Sequence, residues 1–292
     1  MALEKGLIRI GAKPIRLGSE VIGYTQTESN ITVKLADDAA ISGDILIGAD
    51  GIHSAIRAVM IGKDNPQFTG HTAWRAVVPV NALGDLAPRP GATVWTGPGR
   101  HCVTYLLRGG ELANLVAVVE RDDWTRENWT EEGNRDDALR DFQGWHPIIT
   151  NMIEKAGKLH RWALYDRKPL PSWIDGRAVL LGDAAHPMLP FMAQGAAMAV
   201  EDSWVLSHQI SMPDIKTEDA LRNYQHIRHA RTSKMQAVSR ANGKTFHRRT
   251  KLAQIATFGP MWLGVRFFPE AAYRRLDWIY KHDVTKKELP NA

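Results

Sequence analysis

Two runs that look like strands, 21–27 and 31–35, are separated by the polar break Glu28-Ser29-Asn30. That pattern predicts two strands joined as a hairpin. Over 45–47 it changes to a short continuous apolar run that ends in Gly48-Ala49-Asp50-Gly51, and 178–181 repeats it, ending in Gly182-Asp183. A strand buried on both faces reads this way where it runs out at a ligand-facing edge. Residues 52–60 can form a short helix. Strands are predicted at 71–80, 92–96, 101–107 and 112–120, the last three separated by Gly-Pro-Gly and Gly-Gly breaks, which suggests an antiparallel sheet. Helical spacing takes over across 122–158, with Leu139, Phe142, Trp145, Ile149 and Ile153 on one side and Pro147 as a break. Gly195 opens a helix that runs to about Gln209. From Glu218 a further helix carries Leu221, Tyr224 and Ile227 in one stripe, and Pro260 and Pro269 punctuate the end of the chain.

The 292 residues suffice for one large domain or two smaller ones. With 44% hydrophobic and 24% charged residues, global disorder is excluded. No run approaches the ~18 apolar residues of a membrane span, and the opening MALEKGLIRI lacks the apolar core of a secretory signal. The single cysteine, Cys102, excludes a disulfide framework and a multi-cysteine zinc site. These absences read as a cytoplasmic protein without stable membrane insertion. Charge is uneven: residues 216–292 hold 16 Lys/Arg against 6 Asp/Glu, whereas 1–215 hold 21 against 26. A basic end can attract anionic partners, but its basic residues are not interleaved with aromatics as in a nucleic-acid reader. A solvated helix face, or a field that draws anionic substrates and cofactors, is the reading adopted, with no nucleic-acid partner.

The chemistry gathers at the two Gly-Asp strand ends. Each puts an acceptor carboxylate, Asp50 or Asp183, where open α/β sheets bind ligands, and each can accept from sugar or ribityl hydroxyls. Gly195, Ala196 and Ala197 begin a helix whose first N–H groups suit a pyrophosphate or the anionic edge of a flat ring. Either site alone is an ordinary turn. The two together, flanking a β-rich segment, are far more specific.

This pair, Gly48-Ala49-Asp50-Gly51 with Gly182-Asp183, resembles the flavin-dependent aromatic hydroxylases. The likeness is strongest to the salicylate 1-monooxygenase, 6-hydroxynicotinate 3-monooxygenase and 3-hydroxybenzoate 6-monooxygenase branch. It extends through Thr72-Ala73-Trp74-Arg75, the segment around His101 and Tyr105, residues 186–202 and residues 276–285. The resemblance implies a mixed α/β (α+β) fold. A partial Rossmann-like FAD-binding domain would span 1–65 and 160–215, an antiparallel β-sheet substrate domain 66–159, and a helical region 216–292.

The resemblance also implies FAD, NADH or NADPH as reductant, O2, and a small hydroxylated aromatic or pyridine carboxylic acid as substrate, attacked through a flavin C4a-hydroperoxide. Asp50, Gly51, Arg57, Gly182, Asp183, Gly195 and Ala196 would then hold the cofactor. His101, Tyr105 and Pro190 would be the catalytic set. His101 and Tyr105 are four apart on one strand and so share a face, and His101 is the better base from its ordinary pKa of ~6.5. The Pro190 carbonyl would orient a ring hydroxyl. Trp74 and Arg75 fall on opposite strand faces, one of them toward the pocket. His186 reads as a structural histidine paired with backbone, Glu201 and Asp202 as helix-capping, solvated acids, and no metal is expected.

The family's Gly-x-Gly-x-x-Gly turn has no counterpart at Gly6, Gly11, Gly18 or Gly23. The family pattern is therefore entered roughly a hundred residues in, which reads as a partial gene product, a mis-assigned start, or a truncated relative that self-associates as a homo-oligomer. The strands at 45–47 and 179–181 are expected to lie where neighbouring strands are lacking. A flavin oxidoreductase without hydroxylation, and a non-catalytic interaction module, remain as alternatives.

Overall fold

The computed structural model describes residues 15–62, 65–121, 123 and 131–286. The predicted hairpin is β1 (Val21–Gln26) with β2 (Ile31–Leu35), antiparallel, and Tyr24, Ile31 and Leu35 are buried. A third strand, β3 (Ala40–Gly43), completes the order β1-β2-β3. Every β3 residue is exposed, so it carries no apolar alternation to read.

Strand β4 (Leu46–Gly48) leads through the Asp50 loop into helix α1 (Ala55–Ile61). Ser54 caps α1, its hydroxyl accepting from the Arg57 N–H at 2.8 Å. Far along the chain, β10 (Ile174–Asp175) and β11 (Ala178–Leu180) complete a small sheet ordered β10-β11-β4. The expectation of lacking neighbours applies to one edge of this sheet only. The two Gly-Asp strands pair with each other in parallel, Leu46 opposite Ala178 and Gly48 opposite Leu180. One edge of β4 has no strand partner among the described residues, and Ile47 on β4 remains 42% exposed. Gly48 is required by packing, since a Cβ there would stand 2.9 Å from the Ile56 side chain of α1.

The β-rich segment forms one five-stranded antiparallel sheet ordered β6-β7-β8-β5-β9. Its strands are β5 (Gln67–Pro79), β6 (Thr93–Gly97), β7 (Arg100–Leu107), β8 (Leu112–Glu120) and β9 (Leu159–Asp166). β9 pairs with β5, so the sheet runs on past residue 159. One face is covered by α2 (Arg135–Asp141) and α3 (Pro147–Lys155), where Phe142, Ile149, Met152 and Ile153 pack on Trp74, Cys102, Leu115 and Leu159. Pro147 breaks the helical region by starting α3, where a missing N–H costs nothing. The helical expectation at 124–130 lies outside the described residues.

Helix α4 (Gly195–Ile210) packs along α5 (Thr217–Phe246), which buries Leu221 and Tyr224 against β11 and its neighbours. Three helices follow, α6 (Lys251–Phe267), α7 (Pro269–Arg274) and α8 (Asp277–Tyr280). Pro269 starts α7, whereas Pro260 lies inside α6 rather than ending it. No helix among the described residues is long and apolar enough to cross a membrane.

Candidate active site at two strand ends

The parallel pairing of β4 and β11 brings Asp50 and Asp183 to the same end of the small sheet. Asp50 Oδ2 accepts from the Ile56 N–H at 3.2 Å, which ties the loop to the start of α1. Arg57 joins the two loops. Its guanidinium donates to the Ile52 carbonyl at 2.5 Å in the first loop, and to the Ala184 and Asp183 carbonyls at 2.9 and 3.3 Å in the second. Arg57 is buried and does not line the adjoining cleft, so its role is a clamp that holds the strand ends together.

That cleft encloses about 250 Å³ and is lined by Ile52, His53, Trp162, Leu164, Asp183, Met188 and Pro190, among others. The Asp183 side chain reaches solvent there. The surrounding protein raises its carboxyl pKa, against the opposing pull of His186 and Arg57. Pro190 is exposed at the start of a tight turn, and its carbonyl accepts from the Ala193 N–H at 3.2 Å, using one of its two acceptor positions.

The 182–190 loop is fastened from below. Gly182 sits at φ 61°, where a side chain would be strained, and its N–H donates to Asp202 Oδ2 at 3.1 Å. The same oxygen meets His186 Nε2 at 2.5 Å, while Asp202 Oδ1 accepts from Arg228 Nε at 2.7 Å. Arg228 also reaches Glu201 at 2.6 Å, and Arg231 pairs with the same carboxylate. Glu201 and Asp202 are therefore not solvated helix acids. Asp202 is fully buried on the face of α4 that meets α5, and His186 pairs with it rather than with backbone. Burial works against the Asp202 carboxylate, but His186 and Arg228 outweigh it and hold its pKa below the usual range. No sequence spacing links residues 186, 202 and 228, because the contact needs the α4–α5 packing.

Helix α4 begins at Gly195 with no side-chain cap from Gln194, and Ala196 and Ala197 are exposed. Its first N–H groups therefore face outward beside Asp183, whose Oδ1 lies 3.7 Å from where a Gly195 Cβ would stand. An uncapped helix start, a solvent-facing carboxylate and a neighbouring cleft fit the polar chain and ring edge of FAD.

The other predicted residues lie elsewhere. His101, Val103 and Tyr105 share the sheet face opposite α2 and α3, but neither His101 nor Tyr105 lines the cleft. His101 is 1% exposed and packs against Phe191, with ring centroids 5.1 Å apart, behind the loop that carries Pro190. Its Nδ1 meets His247 Nε2 at 2.6 Å, and His247 Nδ1 meets Glu120 Oε1 at 3.2 Å. A carboxylate only accepts, so His247 holds its proton at Nδ1 and His101 donates from Nδ1. Burial, then repulsion from His247 and His71, push the His101 pKa down to about 3. This corrects the view of His101 as the better base: at neutral pH it is an uncharged, weakly basic ring. Trp74 is buried on the helix-covered face and bonds Asp141 through its indole N–H at 2.8 Å, so Arg75, half-buried on the opposite face, is the one turned toward the loop side.

The fold and this cleft define a nucleotide-cofactor domain, and the comparisons name its family. The family described as "FAD binding domain" matches residues 2–239, and the chain belongs to it. Among individual proteins, the chain is 37% identical over 233 residues to 3-amino-4-hydroxybenzoate 2-monooxygenase PtnB3 of Streptomyces platensis. That match covers 80% of this chain and 59% of the relative, so the chain spans about three fifths of that protein's length. It is 34% identical over 283 residues to 3-hydroxybenzoate 6-hydroxylase 1 of Aquipseudomonas alcaligenes, covering 96% of the chain and 70% of the relative. A salicylate hydroxylase substrate complex superposes with TM-score 0.75 at 27% identity, covering 97% of this chain and 73% of that one. Klebsiella pneumoniae HpxO, complexed with FAD and uric acid, does so with TM-score 0.77 at 25% identity, covering 92% and 69%.

Proposed function

We propose that the chain serves as the flavin-site portion of an FAD-dependent, NAD(P)H-using monooxygenase that hydroxylates a small hydroxylated aromatic or pyridine carboxylic acid. The observation that carries this is the Arg57 clamp, which holds two Gly-Asp strand ends at one cleft beside an uncapped helix start. The names of the relatives support the substrate class, since they act on hydroxybenzoates.

Bound FAD would supply the reduction and oxygen chemistry that no side chain provides. Asp183 would accept from its ribityl hydroxyls, and the Gly195 and Ala196 N–H groups would face its anionic parts. Gly51, at φ 79°, shapes the turn between Asp50 and the cleft residue Ile52. Trp162 and Leu164 give the cleft an apolar wall for a flat ring, and the free acceptor position of the Pro190 carbonyl can orient a ring hydroxyl. The neutral His101 stands behind this wall, packed against Phe191 in the turn that carries Pro190.

The test is a panel of salicylate-like, hydroxybenzoate-like and hydroxynicotinate-like acids with the FAD-loaded chain. Hydroxylated product in step with NADH or NADPH loss supports the reading. Cofactor oxidation that yields hydrogen peroxide alone, with every acid, would replace it with a flavin oxidoreductase.

A further inference from the structure

The sheet face opposite α2 and α3 carries a second cluster of chemistry away from the cleft. His71 on β5 lies directly across from Glu120 on β8, and His247, just past the end of α5, closes over both. One ligand atom from each of these three residues lies within 4.8 Å of the others. We propose that His71, Glu120 and His247 form a binding site for a divalent transition-metal ion of the zinc class.

Four observations carry this. Two imidazoles and one carboxylate are a donor set that suits zinc, iron(II) or cobalt(II) rather than magnesium or calcium. His71 Nδ1 is buried and has no hydrogen-bond partner among the described residues. His247 has an outer partner of the kind metal-binding histidines use, because His101 Nδ1 stands 2.6 Å from its Nε2. When His247 Nδ1 turns to the ion, the pair shifts tautomer together, His247 donating from Nε2 and His101 accepting. Finally, Arg249 holds the second oxygen of Glu120 and leaves Oε1 on the histidine side, and an open hollow of about 380 Å³ reaches Glu120 and His247 from solvent.

Ligands about 2.1 Å from one ion stand roughly 3.4 Å apart in a tetrahedron; His247 and Glu120 are already 3.2 Å apart, so His71 supplies the closing movement. Lys244, Arg248 and Arg249 line the same hollow. Their charge opposes cation binding and favours an anion or water at the open fourth position. Burial lowers the pKa of both ligand imidazoles, which favours the uncharged form that ligates. The site is independent of the flavin reading and needs no flavin for its test.

The experiment is a cobalt(II) titration of the full chain, desalted and free of added flavin, followed by visible absorption and by thermal shift with zinc. One equivalent of cobalt with the intense visible bands of a four-coordinate site is expected, together with a zinc-dependent rise in melting temperature. His71→Ala and Glu120→Gln should each weaken cobalt binding by at least roughly 100-fold, the upper end of what losing an outer partner costs. His208→Ala, at an exposed histidine, should leave it unchanged. Absence of the bands in the wild-type chain, or bands that survive both His71→Ala and Glu120→Gln, would overturn the proposal. Circular dichroism shows whether each variant is folded, and the wild-type result decides alone if one is not.

Discussion

The five-stranded sheet and the small β4–β11 sheet solve opposite problems. The large sheet buries one whole face under α2 and α3 with side chains such as Phe142, Ile149 and Met152, and apolar packing dominates there. The small sheet has three short strands, an edge of β4 without a strand partner among the described residues, and two loops that must stay open. It has an apolar core of its own, with Ala178, Val179 and Leu180 against Leu206 and Tyr224, but its loops are fastened by buried charge: Arg57 on backbone carbonyls, and Asp202 between His186 and Arg228. Apolar packing tolerates no openings, whereas a charged clamp can fix a loop from behind and leave its front free for a ligand. Stability and binding are thereby divided between two regions.

The largest way to break this contrast is Arg228→Ala. It strands the buried Asp202 carboxylate and should cost about 3–5 kcal/mol in chemical denaturation. A loss below about 1 kcal/mol would mean that the 182–190 loop is not fastened by charge. Next, Asp183→Ala removes an exposed carboxylate and no packing, so it should leave stability nearly unchanged while weakening FAD binding roughly 10- to 100-fold. Equal loss of stability and affinity would blur the division.

Acid comes third. His101 and His247 have folded pKa values pushed down to about 3 and about 4, below the ordinary ~6.5 of the unfolded chain. Below ~6.5 the unfolded state takes up protons that the folded state refuses. Their contribution is therefore complete above that pH and is lost as pH falls toward about 4 and then 3. Each unit in that window costs up to about 1.4 kcal/mol per histidine. Melting temperatures from pH 7 to 4 should fall less steeply in His101→Phe than in the wild type, and identical slopes would contradict the buried neutral pair.

The smallest effects test locality. Ser54→Ala removes the α1 cap beside Arg57 and should cost about 1 kcal/mol. Ile149→Val trims the large core by a similar amount, about 0.5–1.5 kcal/mol. Only Ser54→Ala should also lower FAD affinity, since α1 carries the clamp, and isothermal titration of both variants measures this.

Where local pattern decides structure, the sequence was enough. Runs of strand-forming residues between polar or glycine breaks marked β1, β2 and strands of the large sheet, and the Gly-Asp endings marked both loops of the cleft. β3 was missed because none of its residues is buried. The Asp202–Arg228 pair and the His71–Glu120–His247 group were invisible because each depends on register or helix packing between distant segments. His101 was placed on the right strand face, yet its basicity was misjudged. Its pKa is set by burial that one strand cannot reveal, and then by His247, which lies 146 residues away in the chain.

The most direct measurement is FAD titration of the full chain, read by the shift of the flavin absorption band and by quenching of flavin fluorescence. The account predicts saturable one-to-one binding in the wild type and strongly weakened binding in a folded Asp183→Ala variant. A folded wild-type chain that leaves the flavin spectrum unchanged, or one that binds FAD equally well without Asp183, would contradict a flavin site built from these two strand ends.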